Sequence, residues 1–169
     1  MDYYFQKMQA PRLADITITE ESLTETSGCA FVTIFLNGEV RGSAGNVKEI
    51  HGSLAEEIIA STVAALKEDT RFAPLTLEES EKIQFRVDTI SSREIISLKD
   101  IDSLDPVKQG MIVIHRDYEK LAVVLPNISA KLLTGKDFIP VLQEKLSEKK
   151  LDDKNCIFYK IETKQEQSF

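Results

Sequence analysis

The side chains best able to do chemistry gather in one stretch, Val40-Arg41-Gly42-Ser43-Ala44-Gly45-Asn46. A guanidinium beside two glycines can hold a carboxylate or phosphate while backbone N–H groups approach the same anion. The plainer alternative is that Arg41 pairs with a surface carboxylate and Gly42 and Gly45 only permit a tight turn. Ser43 is open to three readings: a nucleophile, a polar ligand contact or a small residue that saves space. A nucleophilic serine needs a base within hydrogen-bond reach, and His51 and His115 are the two histidines of the chain. His51 could fold back towards Ser43 or stay an exposed loop residue, whereas His115 falls in a polar connection. Asp69 and Arg71 flank a later loop that could approach Arg41. There an ion pair that shapes the loop is the simpler role, and acid–base work by Asp69 would need a cleft that raises its pKa. The ligand-binding candidates are therefore Arg41, Gly42, Ser43, Gly45, Asn46 and Arg71, and the catalytic candidates are Ser43, His51 and Asp69.

Other chemistries find no residues to carry them. There is no His-x-x-x-His, no paired cysteines and no acidic cluster with ligand spacing, so no metal is expected. Gly42 and Gly45 match neither a dinucleotide fingerprint nor a phosphate-binding loop, and no cofactor is expected. The formal charge of −7, from 21 basic and 28 acidic residues, disfavours a general nucleic-acid surface because the long-range field repels polyanions. Cys29 and Cys156 lie far apart in apolar surroundings and read as buried free thiols of a reducing compartment. The first residues contain charges and no continuous apolar run, and no stretch approaches the roughly 20 apolar residues of a membrane span. A cytoplasmic location away from membranes is the expectation.

The elements that must position these residues are legible to different degrees. Cys29 to Leu36 is an apolar, β-branched run that reads as a buried strand. Asn37-Gly38 tolerates positive φ and predicts a type I′ hairpin, with Glu39 to Arg41 returning antiparallel and delivering Gly42 to Gly45 as a loop. Ser53-Leu54-Ala55-Glu56 fits a capping box and opens a helix over Leu54 to Lys67, with Leu54, Ile58, Ile59, Val63 and Leu66 on one face. Pro74 bars its continuation, Phe72 reads as core, and Thr76 caps a short turn through Ser80.

Further on, Ile83, Phe85 and Val87 alternate with Gln84, Arg86 and Asp88, the pattern of a strand with one buried and one wet face. Ser91 to Gln109 reads mostly as loop, with a short helix near Asp102 to Leu104. Met111 to Ile114 and Leu121 to Leu125 form a hairpin across His115 to Lys120. The last helix starts at Thr134 or Asp137, buries Phe138, Val141, Leu142 and Leu146, and accommodates Pro140 in its first turn. Its Lys/Glu face is solvated, although Lys145, Lys149 and Lys150 could meet an acidic partner. Cys156 to Ile161 is the final strand. Near the N-terminus Ile16 and Ile18 suggest a short edge strand, and Tyr3, Tyr4 and Phe5 either dock on a neighbouring surface or form a mobile tail. The expected architecture is α+β, a single domain with a mainly antiparallel sheet covered by helices. Its divisions are an N-terminal segment (1–27), the domain proper (28–161) and a polar tail (162–169).

The order of these features resembles a known family. Phe31-Val32-Thr33-Ile34 leads through Asn37-Gly38-Glu39 to Val40-Arg41-Gly42-Ser43-Ala44-Gly45, and Asp69-Thr70-Arg71-Phe72-Ala73-Pro74 follows the helix. Gly110-Met111-Ile112-Val113-Ile114 and Leu125-Pro126-Asn127-Ile128 then appear in succession. Together they resemble the AMMECR-type domain over roughly Gly28 to Ile161. The resemblance implies an α+β fold and no particular reaction; an accessory or modifying role is suggested by microbial relatives encoded beside or fused to Memo-type metal-site proteins and radical SAM enzymes. The family loop usually reads Leu-Arg-Gly-Cys-Ile-Gly, and here Ser43 and Ala44 occupy the cysteine and isoleucine positions. A thiol-dependent mechanism would lose its nucleophile. The helical segment that precedes the first strand in the family also reads as shortened or absent.

The functional expectation is a domain that binds a small anionic ligand or a partner protein at Arg41 to Asn46. The alternative is a hydrolase or modifying-enzyme subunit using Ser43 with His51 or Asp69. A third reading is an interaction module that uses the aromatic N-terminus.

Overall fold

A computed structural model describes residues 2–7, 9–117 and 119–168. The chain opens with α1 (Asp2–Lys7), a 3-10 turn (Leu13–Asp15) and α2 (Ser22–Glu25), then forms β1 (Ala30–Leu36) and β2 (Glu39–Gly45). Next come α3 (Leu54–Lys67), α4 (Leu77–Ser80) and β3 (Ile83–Ile96), followed by a 3-10 segment (Leu98–Ser103). The hairpin β4 (Gly110–His115) and β5 (Leu121–Val124), α5 (Phe138–Leu146) and β6 (Cys156–Gln167) complete the chain. The strands form one sheet in the order β2-β1-β3-β6-β4-β5, so β2 is an edge. The fold is the expected single-domain α+β arrangement with an antiparallel sheet.

Two compact units are distinguishable, residues 1–89 with 165–169, and residues 90–164. In the first, the β1–β2 hairpin turns through Asn37 at φ 54° and Gly38 at φ 82°, the two positive values of a type I′ turn. Its core is Ile34 with Ala65, Leu66 and Leu75, joined by Tyr4, Phe5, Ala44, Ile83 and Phe85. The N-terminal aromatics Tyr4 and Phe5 thus dock on this core. In the second unit Phe138, Leu142 and Leu146 of α5 pack with Met111, Val113, Val124 and Phe158. Pro140 sits in the first turn of α5, where its missing N–H breaks no helical bond.

α3 has the expected bounds, and both halves of the Ser53/Glu56 capping box are present. Its burial departs from the expected stripe. Val63 and Leu66 are buried with Ala55, Glu57, Ser61 and Ala65, whereas Leu54, Ile58 and Ile59 are half-buried. The small residues face the sheet because α3 lies unusually close to β2: a Cβ on Gly42 would fall 2.3 Å from the Ala65 carbonyl oxygen. Only glycine at that strand position permits the approach.

Several expectations need correction. Gly42 to Gly45 is not a loop but the second half of β2, because Val32, Thr33 and Ile34 supply ladder partners for Ala44, Ser43 and Gly42. β3 reaches Ile96 and takes up part of the expected loop, and β6 carries the polar residues after Ile161 on to Gln167. Ile16 and Ile18 form no strand. The alternation in β3 is inverted: Arg86 and Asp88 are buried, while Ile83, Phe85 and Val87 are only half-buried. The charges tolerate burial because Arg86 Nε donates to Asp88 Oδ2 at 2.7 Å, leaving neither charge isolated. His115 is not in the exposed connection but is the last residue of β4, half-buried, with Nδ1 2.7 Å from Asp117. Cys156 is buried, and burial pushes its thiol pKa up, so it is a poor nucleophile; Cys29 is half-buried rather than buried as expected.

Candidate functional site

β2 positions most of the candidate residues, and its register decides which way each one points. Residues 40 and 42 pair with Phe35 and Ile34, so Arg41 is the extra residue of a β-bulge. A bulge turns its side chain away from the regular alternation. Here it aims Arg41 at the segment after α3. Arg41 Nε and Nη2 donate to the two Glu79 oxygens at 2.8 and 3.0 Å, and Nη1 donates to the Ala73 carbonyl at 3.0 Å. The side chain is only 16% exposed, so each nitrogen of the fork already has a partner and little solvent access.

Glu79 is held equally firmly. The Arg41 hydrogen bonds, followed by the Thr76 backbone N–H, lower its pKa from 4.5 to about 2. Thr76 and Glu79 also form the reciprocal capping box of α4. The sequence signal for Glu79 was present as Thr-x-x-Glu, but nothing in the sequence linked that box to Arg41.

A second ion pair closes the edge of β2. The Ser43 backbone N–H donates to Asp69 Oδ2 at 2.9 Å, and Arg71 grips the same carboxylate through Nε at 2.9 Å and Nη2 at 2.6 Å. Burial opposes ionisation of Asp69, but the hydrogen bonds from Arg71 and Ser43 outweigh it and hold the carboxyl below its ordinary pKa. Arg71 is raised in turn, chiefly by its hydrogen bond to Asp69. A carboxylate with a lowered pKa is a weak proton acceptor near neutrality. Phe72 is half-buried rather than core, with the Arg41 and Arg71 guanidinium carbons 5.7 and 5.2 Å from its ring centre.

Ser43 presents its hydroxyl to Thr33, with the two oxygens 3.1 Å apart. Its contact with Asp69 is through the backbone, and no hydrogen bond joins the hydroxyl to His51 or Asp69 among the described residues. His51 is placed by its backbone N–H, which reaches Glu57 Oε2 at 3.4 Å. Glu57 is fully buried on α3 and also accepts from the Asn46 side-chain amide. His51 and Asn46 therefore share a carboxylate, while Ser43 belongs to a separate pair.

Beyond Ser43 the strand opens onto a cavity of about 400 Å³. Ala44, Gly45 and Asn46 form one wall, Ala60, Ser61, Val63 and Ala64 of α3 form another, and Ala10 and Glu68 complete the lining. Gly45 must stay small because a Cβ there would lie 2.4 Å from the Phe31 ring. Sequence reasoning missed Ala60, Ser61, Ala64 and Glu68. The only signal for the first three was a run of small residues beside the apolar stripe of the helix, which ordinarily means close packing, and Glu68 carried none. Among the described residues no group of three or more His, Cys, Asp or Glu is arranged to hold a metal, and no helix is long and apolar enough to cross a membrane. Lys145, Lys149 and Lys150 are exposed and form no part of this cavity.

Comparison with known proteins gives this geometry a setting. A Thermotoga maritima protein is 37% identical over 101 residues, which is 59% of this chain and 56% of that protein. A Clostridium acetobutylicum protein is 33% identical over 111 residues, 66% of this chain and 22% of the relative. The matched region therefore spans about half of one relative and about a fifth of the other. The crystal structure of an uncharacterised Pyrococcus horikoshii protein superposes with a TM-score of 0.79 at 20% identity, covering 99% of this chain and 85% of that one. At that identity the likeness concerns the fold. A family model described as AMMECR1 matches residues 2–165.

Proposed function

The chain belongs to the AMMECR1 family, and on that premise we propose that it is a binding domain whose ligand sits in the cleft between the C-terminal half of β2 and α3. The observation that carries this reading is the cavity of about 400 Å³ at Ala44, Gly45 and Asn46, within the size range of small-ligand sites. The cleft overlaps the Arg41-to-Asn46 stretch singled out by sequence but centres on its second half. Arg41 and Arg71 act as braces. An anion at either guanidinium would have to compete with a two-point carboxylate contact already in place. Binding is favoured over turnover because the Ser43 hydroxyl faces Thr33 and Asp69 is a depressed, doubly held carboxylate.

A thermal-shift screen of a metabolite library against the wild type, Ala64→Leu and Arg71→Gln tests this reading. Compounds that stabilise the wild type are expected to lose their effect in Ala64→Leu, where a larger side chain enters the cleft, and to keep it in Arg71→Gln. Stabilisation that survives Ala64→Leu and disappears in Arg71→Gln would move the site to the ion pairs and restore the anionic class.

A further inference from the structure

Taking the cleft reading as its base, we propose that the cleft selects a short aliphatic primary ammonium, its charged end on Glu68 and Asn46 and its carbon chain among the alanines. The cavity wall still offers hydrogen-bonding atoms of Asn46, Ser61 and Glu68. The Asn46 amide donates to buried Glu57, so its Nδ2 faces inward and its carbonyl oxygen is the end left for a ligand. The Ser61 hydroxyl must donate at the Ala30 carbonyl, because a carbonyl only accepts, which leaves its oxygen lone pairs. Glu68 is a carboxylate at the rim, with 62% of its side chain exposed.

Each of the three polar side chains of the wall therefore offers an acceptor, and one Asn46 N–H is the single side-chain donor left beside them. A bound group that donates satisfies them, whereas a carboxylate or phosphate would meet oxygen against oxygen. An alkylammonium carries three N–H donors and a positive charge, matching both the acceptor set and the net charge of −7. The apolar lining is mostly methyl surface from Ala10, Ala44, Ala60, Val63 and Ala64, which fits a short unbranched chain. Lys67 opposes the ammonium, lying 3.4 Å from Glu68. That contact is an exposed surface pair, worth little, and a ligand ammonium can replace it.

The test is an NMR titration of the full chain, following the backbone amides of Ala44 to Asn46 and Ala60 to Ala64. Three four-carbon probes are compared: n-butylammonium, n-butanol and butyrate. The expected order of affinity is n-butylammonium over n-butanol over butyrate. Glu68→Gln, a surface change that leaves the fold intact, should weaken n-butylammonium about twofold to fivefold and leave n-butanol unchanged, in keeping with loss of one partly exposed charge contact. Ala64→Leu should abolish the response to all three, with its folding verified from dispersion of the same spectrum.

Butyrate binding as tightly as n-butylammonium, or n-butylammonium affinity unmoved by Glu68→Gln, overturns the ammonium assignment. Perturbation of the cleft by n-butanol or butyrate would then still support the cleft. Absence of any perturbation by n-butylammonium also overturns the assignment, and the library screen judges the cleft on its own.

Discussion

The two halves of β2 were built by opposite means. From Val40 to Ser43 the strand is surrounded by charge, and each charge has a partner: Arg41 with Glu79, Arg71 with Asp69, and the Ser43 N–H with Asp69. From Ala44 to Gly45, and on through Asn46 just beyond it, the chain meets small side chains and open space. The first half carries the residues that look chemical in a sequence, yet its polar capacity goes into fixing an edge strand and the segment after α3. The second half looks bland and leaves room for a guest. In an edge strand, capping the outward N–H groups is itself a structural need, because unpaired edges invite association. Charged residues beside an edge can be there for that reason alone.

Four substitutions would break or sharpen this contrast. The largest effect is expected within the first half, in Gly42→Ala. The new Cβ would lie 2.3 Å from a helix carbonyl, so α3 must retreat from β2, at a cost of about 3 kcal/mol that chemical denaturation would read. A variant as stable as the wild type would mean that the close approach of α3 is not what shapes the cleft.

Next in size is Arg41→Ala. It strips Glu79 of a two-point contact and should cost about 2 kcal/mol in denaturant unfolding while leaving cleft ligands bound. Its partner substitution, Glu79→Gln, adds a pH signature. The folded pKa of Glu79 is about 2 against an ordinary 4.5, so its stabilising contribution is fully present above pH 4.5. It is lost as pH falls from there towards 2. The melting-temperature gap between wild type and Glu79→Gln should therefore be constant from neutrality to about pH 5 and close below it. A gap that persists at low pH would show that the carboxylate charge is not the stabilising feature.

The smallest effect is expected for Ser43→Ala. The buried Thr33 hydroxyl loses its partner, a loss of about 1 kcal/mol by thermal or denaturant unfolding, and binding in the cleft is unchanged. Loss of ligand binding at intact folding would return Ser43 to the site.

Legibility in the sequence followed the range of the interaction. The type I′ turn at Asn37-Gly38, the Ser53/Glu56 box and the helix it opens, the placement of Pro140 and the β4–β5 hairpin all depend on neighbours a few positions apart, and all were readable. The strand character of Gly42 to Gly45 was not, because two glycines and a serine look like a turn until β1 supplies ladder partners. Arg86 and Asp88 were misread for a similar reason: alternation identifies two faces, but not which one is buried when an ion pair can make the polar face tolerable. At the candidate site the Arg41 stretch stood out through charge and glycine. The pairing with Glu79, 38 positions away, and the cavity made by Ala60 and Ala64 depend on how α3 lies against β2. Small residues that line a cavity look the same in sequence as small residues that pack.

The most direct test of the contrast is amide chemical-shift mapping with any compound that stabilises the protein in a library screen. Perturbations are expected to cluster at Ala44 to Asn46 and Ala60 to Ala64, with Arg71 to Ala73 little changed. Perturbations centred on Arg71 to Ala73, with the cleft silent, would contradict the account and make the charged half of β2 the binding site.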